Sequence, residues 1–400
     1  MSKPRLRIKG YTGDWKEEKA DLIFRSVSDK GHPELPVLSA TQDRGMVIRV
    51  DSEKLVIHDK RNEVGYKRVV PGQFVIHLRS FQGGFAHSDV EGITSPAYTV
   101  MEFKEPEKHN DYFWKYIFSF REFVNRLRVV TYGIRDGRSI SYEDFLGLSM
   151  TFPSAEEQAD IAGLIKLMGR QITNLTDKIT SLKSLKICYL SRLFPIGGGQ
   201  EPAIRLAEFS GKWEEKKLGD IADKVTEKNT AHQVDEVFTN SAVHGVISQR
   251  DFFDHDVAKK ANTGGYYVVS KNDFVYNPRI SVTSPVGPIN RNRTGRKGVM
   301  SPLYTVFRTH DVNPVFLEHY FKSTAWHKYM RFNGNTGARF DRFSITNEDF
   351  FNMPIPLPSP EEQAKIADYF ENLDSLIKHH EEELERLKSL KQSCLQGMFI

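Results

Sequence analysis

The sequence predicts an α+β protein made by duplication: two globular domains separated by a long antiparallel two-helix coiled coil, pseudo-two-fold symmetric. Three observations lead there. Ordered motifs return at a nearly constant spacing, two stretches carry the same heptad stripe, and the segments between them read as short strands punctuated by glycine and proline.

Six anchors carry the duplication, in the same order each time. Gly13-Asp14-Trp15-Lys16-Glu17-Glu18-Lys19 returns as Gly211-Lys212-Trp213-Glu214-Glu215-Lys216-Lys217. Gln73-Phe74-Val75-Ile76-His77-Leu78-Arg79 returns loosely as Asp273-Phe274-Val275-Tyr276-Asn277-Pro278-Arg279, and Ser95-Pro96-Ala97-Tyr98 as Ser301-Pro302-Leu303-Tyr304. Ser139-Ile140-Ser141-Tyr142-Glu143-Asp144-Phe145 returns as Ser344-Ile345-Thr346-Asn347-Glu348-Asp349-Phe350. Pro153-Ser154-Ala155-Glu156-Glu157-Gln158 returns as Pro358-Ser359-Pro360-Glu361-Glu362-Gln363, and Leu182-Lys183-Ser184-Leu185-Lys186 recurs unchanged from Leu387 to Lys391. Each pair stands roughly 200 residues apart, so one unit is written twice. Between the anchors the copies diverge. They share a scaffold and differ in what they read.

Residues 1–152 and 197–357 form the two globular domains, with strand-like runs at Gln73–His77 and Tyr266–Ser270. Helical stretches follow at Tyr112–Arg128 and Pro314–Arg331. The run from Ile196 to Pro202, with three glycines, reads as a flexible linker.

Residues 153–196 and 358–400 are the helical segments. Ser154 and Ser359 stand as N-caps before paired glutamates, and Pro360 suits the first helical position. Apolar residues then alternate by four and three: Ile161, Ile165, Met168, Ile172, Leu175, Ile179, Leu182 in one, Ile366, Phe370, Leu373, Ile377, Leu384, Leu387 in the other. Only His380 interrupts the second stripe. A 3.5-residue period is the coiled-coil signature, and two helices of matching register in one chain are each other's partners. The second helix must return from the far end of the first, so the pair is antiparallel. About 40 residues at 1.5 Å each span roughly 60 Å, on the order of one to two turns of a DNA duplex.

Four hundred residues suit two or three cores, and 39% hydrophobic residues with a mean hydropathy of −0.47 describe an ordinary water-facing chain. Two cysteines, Cys188 and Cys394, exclude a disulfide scaffold and suit a reducing cytoplasm. The basic start is unlike a signal peptide, and no apolar run reaches the roughly 20 residues of a membrane span.

The net charge of +4 hides a partition. Residues 154–194 hold six basic and four acidic residues, whereas 359–400 hold five basic and nine acidic. The globular domains are therefore basic. No acid occurs from Phe274 to His310, a stretch carrying Arg279, Arg291, Arg293, Arg296, Lys297 and Arg308. The matching stretch from Val64 to Ser88 also lacks acids and carries Lys67, Arg68 and Arg79. Two further loops, Thr131 to Arg138 and Thr336 to Arg342, pair glycine with Arg135, Arg138, Arg339 and Arg342. Glycine lets backbone approach a duplex closely, and the arginine fork matches the acceptor pair of guanine. The DNA-facing candidates are thus Arg79, Arg135, Arg138, Arg279, Arg291, Arg293, Arg296, Lys297, Arg339 and Arg342.

Catalytic signatures are missing from the residues. There is no phosphate loop of the Gly-x-x-x-x-Gly-Lys-Ser/Thr type. Asn277-Pro278-Arg279-Ile280 lacks the second proline and the aromatic of an amino-methyltransferase motif. Asp251-Phe-Phe-Asp-His-Asp256 reads as a polar turn, and adjacent His379 and His380 point apart on a helix. Neither a catalytic nor a metal residue is assigned.

On these anchors, in this order and twice over, the whole chain resembles the specificity subunit of type I restriction–modification enzymes. The carriers are the Gly-x-Trp-x-x-x-Lys openings, the Asp273–Arg279 segment, the Ser-Pro-x-Tyr repeats, and the Pro-Ser-x-Glu-Glu-Gln helix starts with their Leu-Lys-Ser-Leu-Lys ends. The resemblance implies two target recognition domains, each reading one half of a bipartite asymmetric duplex site, with the helices as spacer. It implies assembly with two adenine-methyltransferase subunits and with restriction/translocase subunits. S-adenosylmethionine, ATP and Mg would then sit on those partners, and no cofactor on this chain. In the first domain His77-Leu78 replaces Asn277-Pro278. The competing reading is a coiled-coil scaffold that binds proteins and never touches DNA.

Overall fold

The computed structural model describes residues 3–41, 44–49, 60–77, 84–127, 131–132, 139–252, 263–336 and 341–400. Contacts divide the chain into two units, 1–176 with 382–400, and 177–381. Both long helices, Ala155–Arg192 and Pro360–Met398, contribute one part to each unit.

In the first unit the central sheet is four antiparallel strands in the order Phe24–Val27, Thr99–Phe103, Phe74–Ile76, Phe85–His87. The second unit repeats it as Ala222–Lys224, Thr305–Thr309, Phe274–Tyr276, Ile289–Arg291. Satellite pairs repeat as well: Leu38–Thr41 with Gly45–Ile48 matches Phe238–Ser241 with Gly245–Ser248. Lys16–Lys19 pairs with Ser149–Phe152 as Glu214–Lys217 pairs with Pro354–Leu357, tying the start of each domain to the residues before its long helix. The mixed helix and strand content is α+β.

Aromatic packing fills both cores. Trp15 lies edge-on to Phe113 and Trp213 edge-on to Phe316, with ring centroids 6.0 and 5.9 Å apart. The long helices enter the same cores: Ile161, Ile165 and Met168 share the first with Cys394, Met398 and Phe399. Leu193 and Phe194 share the second with Ile366 and Phe370. Within the second unit the helices run antiparallel, since Lys183 meets Glu381 at 2.6 Å, Lys186 meets Asp374, and Tyr189 meets Tyr369 with centroids 5.0 Å apart. The stripe positions Leu373, Ile377 and His380 are buried there.

The helical stretches expected at Tyr112–Arg128 and Pro314–Arg331 are each broken in two. The first divides at Phe120 into Asp111–Ser119 and Arg121–Leu127, which lets both Phe118 and Phe123 reach the core. The second divides after Lys322 into Pro314–Lys322 and His327–Asn333. There the Trp326 indole N–H donates to the carbonyls of Phe321 and Ser323, at 3.0 and 3.1 Å, taking up acceptors that the break leaves.

The Pro-Ser-x-Glu-Glu-Gln motif is a structural clasp. Ser154 and Ser359 hydroxyls accept from the Glu157 and Glu362 backbone N–H. Those carboxylates each take a two-pronged bond from an arginine far away in sequence, Arg7 at 2.8 Å and Arg205 at 2.8 and 2.7 Å. Gln158 and Gln363 side chains then join the Pro153 and Pro358 carbonyls to the backbone N–H of Asn110 and Asn313. Asn110 and Asn313 in turn cap the helices of the globular domains.

Candidate nucleic-acid interface

The acid-free stretch of the second unit does not remain acid-free in space. Arg291 is nearly buried and donates to Glu318 at 2.8 Å and to the Asn272 side chain at 2.7 Å. Arg293 meets the same Glu318 carboxylate at 2.8 Å and also Glu371. Arg296 lies 3.1 Å from Asp251 and 3.4 Å from Glu236, and Lys297 lies 3.6 Å from Glu227. Arg308 grips Asp273 with two bonds, at 2.8 and 2.9 Å. Burial alone would raise the Glu318 carboxyl, but Lys322, Arg293 and Arg291 together pull it down to about 2. These cations are held by carboxylates from outside the stretch, which the linear charge pattern hid.

Two candidates differ. Arg279 and Arg342 are exposed, and among the described residues neither has an ion-pair partner. The structure brings them together through an antiparallel bridge between their backbones. The ladder that holds them continues on both sides: the Phe343 N–H donates to the Pro278 carbonyl at 2.7 Å, and the Ile280 N–H to the Asp341 carbonyl at 3.1 Å. Arg79, Arg135, Arg138 and Arg339 lie outside the described residues. Directly after Arg342, Phe343–Ser344 pairs antiparallel with Asn335–Thr336.

Beside the two arginines is a recess of about 330 Å³, walled by Thr239, Asn240, Ser241, Asn277, Ser281 and Tyr304 among others. A network of three asparagines sets its shape. The buried Asn240 amide donates to the Val275 carbonyl at 2.7 Å and accepts from Asn290 at 2.8 Å. Asn277 donates to the Asn240 carbonyl at 2.8 Å, and its own side-chain oxygen accepts from the Arg279 backbone N–H at 3.0 Å. Gly287 closes the turn with φ +83°, where a Cβ would collide with the Asn277 carbonyl. Sequence reasoning named Arg279 and Arg342 as candidates through charge and glycine context. It missed the asparagines, whose shared role depends on strand register that no local pattern displays.

The first unit carries the same frame with different chemistry. Strand register places Ala40 where Asn240 stands, Ala86 where Asn290 stands, and His77 where Asn277 stands. The pair Arg291–Glu318 is matched by His87–Asp111, 2.7 Å apart and likewise reaching from the last strand of the sheet to the first helix after it. Among the described residues no cluster of His, Cys, Asp or Glu could hold a metal ion, and no helix is long and apolar enough to cross a membrane.

The two units repeat one α+β frame, and in the second of them two exposed arginines stand beside a polar recess. Residues 210–389 match the family described as the type I restriction modification DNA specificity domain. The same topology is written once before that segment. The fold is similar to that of the HsdS subunit from Thermoanaerobacter tengcongensis, at 16% identity and a TM-score of 0.52, covering 96% of each chain. It is also similar to the type I restriction–modification S subunit from M. genitalium, at 13% identity and a TM-score of 0.53, covering 100% of this chain and 99% of that one. Comparison with curated protein sequences gives no match.

Proposed function

We propose that the chain reads a bipartite, asymmetric duplex site, one half with each globular domain. The long helices, as an antiparallel coiled coil between the domains, set the gap between the halves. The observation that carries this reading is the Arg279–Arg342 pair: two exposed guanidinium groups, free of carboxylates among the described residues, on backbone fixed beside a polar recess. Cationic side chains neutralise phosphates and make affinity fall with salt, while forks and amides at the groove edges choose the sequence. The replacement of Asn240, Asn277 and Asn290 by Ala40, His77 and Ala86 supports halves of different sequence.

Two methyltransferase subunits dock on the exposed helix faces and domain flanks, and restriction/translocase subunits join them. S-adenosylmethionine, ATP and Mg are held by those partners, in the cytoplasm, and this chain directs their adenine methylation and cleavage. Mapping of N6-methyladenine in genomic DNA, from cells with and without the chain, tests the proposal. A two-part methylated motif that disappears with the chain is the expected result. A methylation pattern unchanged by its loss contradicts it.

A further inference from the structure

The cations of the acid-free stretch beyond Arg279 have carboxylates facing them within the fold. Arg291, Arg293, Arg296, Lys297 and Arg308 all meet carboxylates. Arg279 and Arg342 differ from these: their backbones are bridged, both side chains line the same recess, and its other described lining is hydroxyls, amides and apolar groups without a carboxylate. Two adjacent guanidinium groups repel each other unless an acceptor-rich group comes between or against them. An acceptor-rich group from outside the chain would answer both charges.

Its chemistry follows from how the pair is held. A cation that only tracks phosphate needs reach and tolerates motion, as an exposed lysine does. Here the backbone of both residues is tied. The Arg279 N–H is fixed on the Asn277 side chain, Pro278 restricts the turn before it, and the bonds to Asp341 and Phe343 lock the two strands in register. A planar fork on fixed backbone is suited to a planar pair of acceptors at set spacing. Among duplex edges, the major-groove face of guanine offers that pair in O6 and N7. Leu303, exposed on the rim of the recess, adds an apolar surface of the kind that meets a thymine methyl group.

We infer that Arg279 and Arg342 are the specificity determinants of the second unit, reading a guanine through its major-groove edge at the mouth of the Asn240–Asn277–Asn290 recess. This rests on the proposal that the chain reads duplex DNA. It adds which base and which residues.

The test is selection of duplexes from a randomised library by the full chain, wild type against Arg279→Lys and Arg342→Lys. Lysine keeps the positive charge and any phosphate contact but loses the fork. Expected for wild type is a two-part motif with a guanine in one part. Expected for each lysine variant is total duplex binding within about threefold of wild type at low salt, with preference for that guanine reduced about tenfold or more. Placing 7-deazaguanine at the position removes N7, and should weaken wild type about tenfold while leaving at least one lysine variant unmoved. If the variants keep the same base preferences and lose only affinity, the arginines are phosphate contacts and the inference falls, while the reading of duplex DNA stands. A wild-type chain that enriches no sequence overturns both.

Discussion

His319 is a fully buried histidine on the helix Pro314–Lys322. Both ring nitrogens are buried without a hydrogen-bond partner among the described residues, and the ring stacks on Phe370 with centroids 4.5 Å apart. Burial, reinforced by Lys322, pushes its pKa down to about 2. The folded chain thus keeps this imidazole neutral where an unfolded one would take a proton. The sign follows: stability is lost as pH falls below about 6.5, by about 2 kcal/mol near pH 5 from this group alone. Replacing His319 with Phe keeps the stack and removes the titrating group. Urea unfolding at several pH values should show a flatter acid limb for His319→Phe than for wild type, with little loss at neutral pH. An acid limb as steep as that of wild type would assign the slope to other groups.

At the level of elements, the long helices were legible because a period of four and three persists over many turns and needs no distant partner to be seen. The stripe residue Ile377 is 7% exposed and its neighbour Leu376 40%. Ile377→Ala should therefore destabilise by about 2–4 kcal/mol, and Leu376→Ala by less than about 0.5 kcal/mol, compared by denaturant midpoints. Equal losses would mean that the helix faces another way. What could not be read locally were contacts across long stretches of chain. The clasp arginines Arg7 and Arg205 stand 150 and 157 residues from Glu157 and Glu362, with no pattern to link them. The same distance effect misled the charge reading. Glu318, Glu371, Asp273, Asp251, Glu236 and Glu227 all lie outside the window from Phe274 to His310, yet they answer its cations. The helix breaks at Phe120 and Ser323 escaped notice for a related reason: neither carries proline or glycine, and core packing on both sides decides them.

For the whole molecule, the duplication has a functional consequence that single residues do not. On the proposed reading, two copies of one frame, with Asn240, Asn277 and Asn290 in one and Ala40, His77 and Ala86 in the other, keep a common architecture while choosing different bases. The frame is conserved within the chain by its clasps, and the reading surface is free to change. On the proposed arrangement, the separation of the two readings is a property of helix length alone. Inserting one heptad at matching positions of both long helices lengthens the spacer by about 10 Å, equivalent to about three base pairs. The most direct measurement is N6-methyladenine mapping in cells carrying the wild-type or the heptad-inserted chain. The expected result is two unchanged half-sites with the gap between them widened by about three base pairs. A gap that stays the same while methylation persists would contradict the ruler.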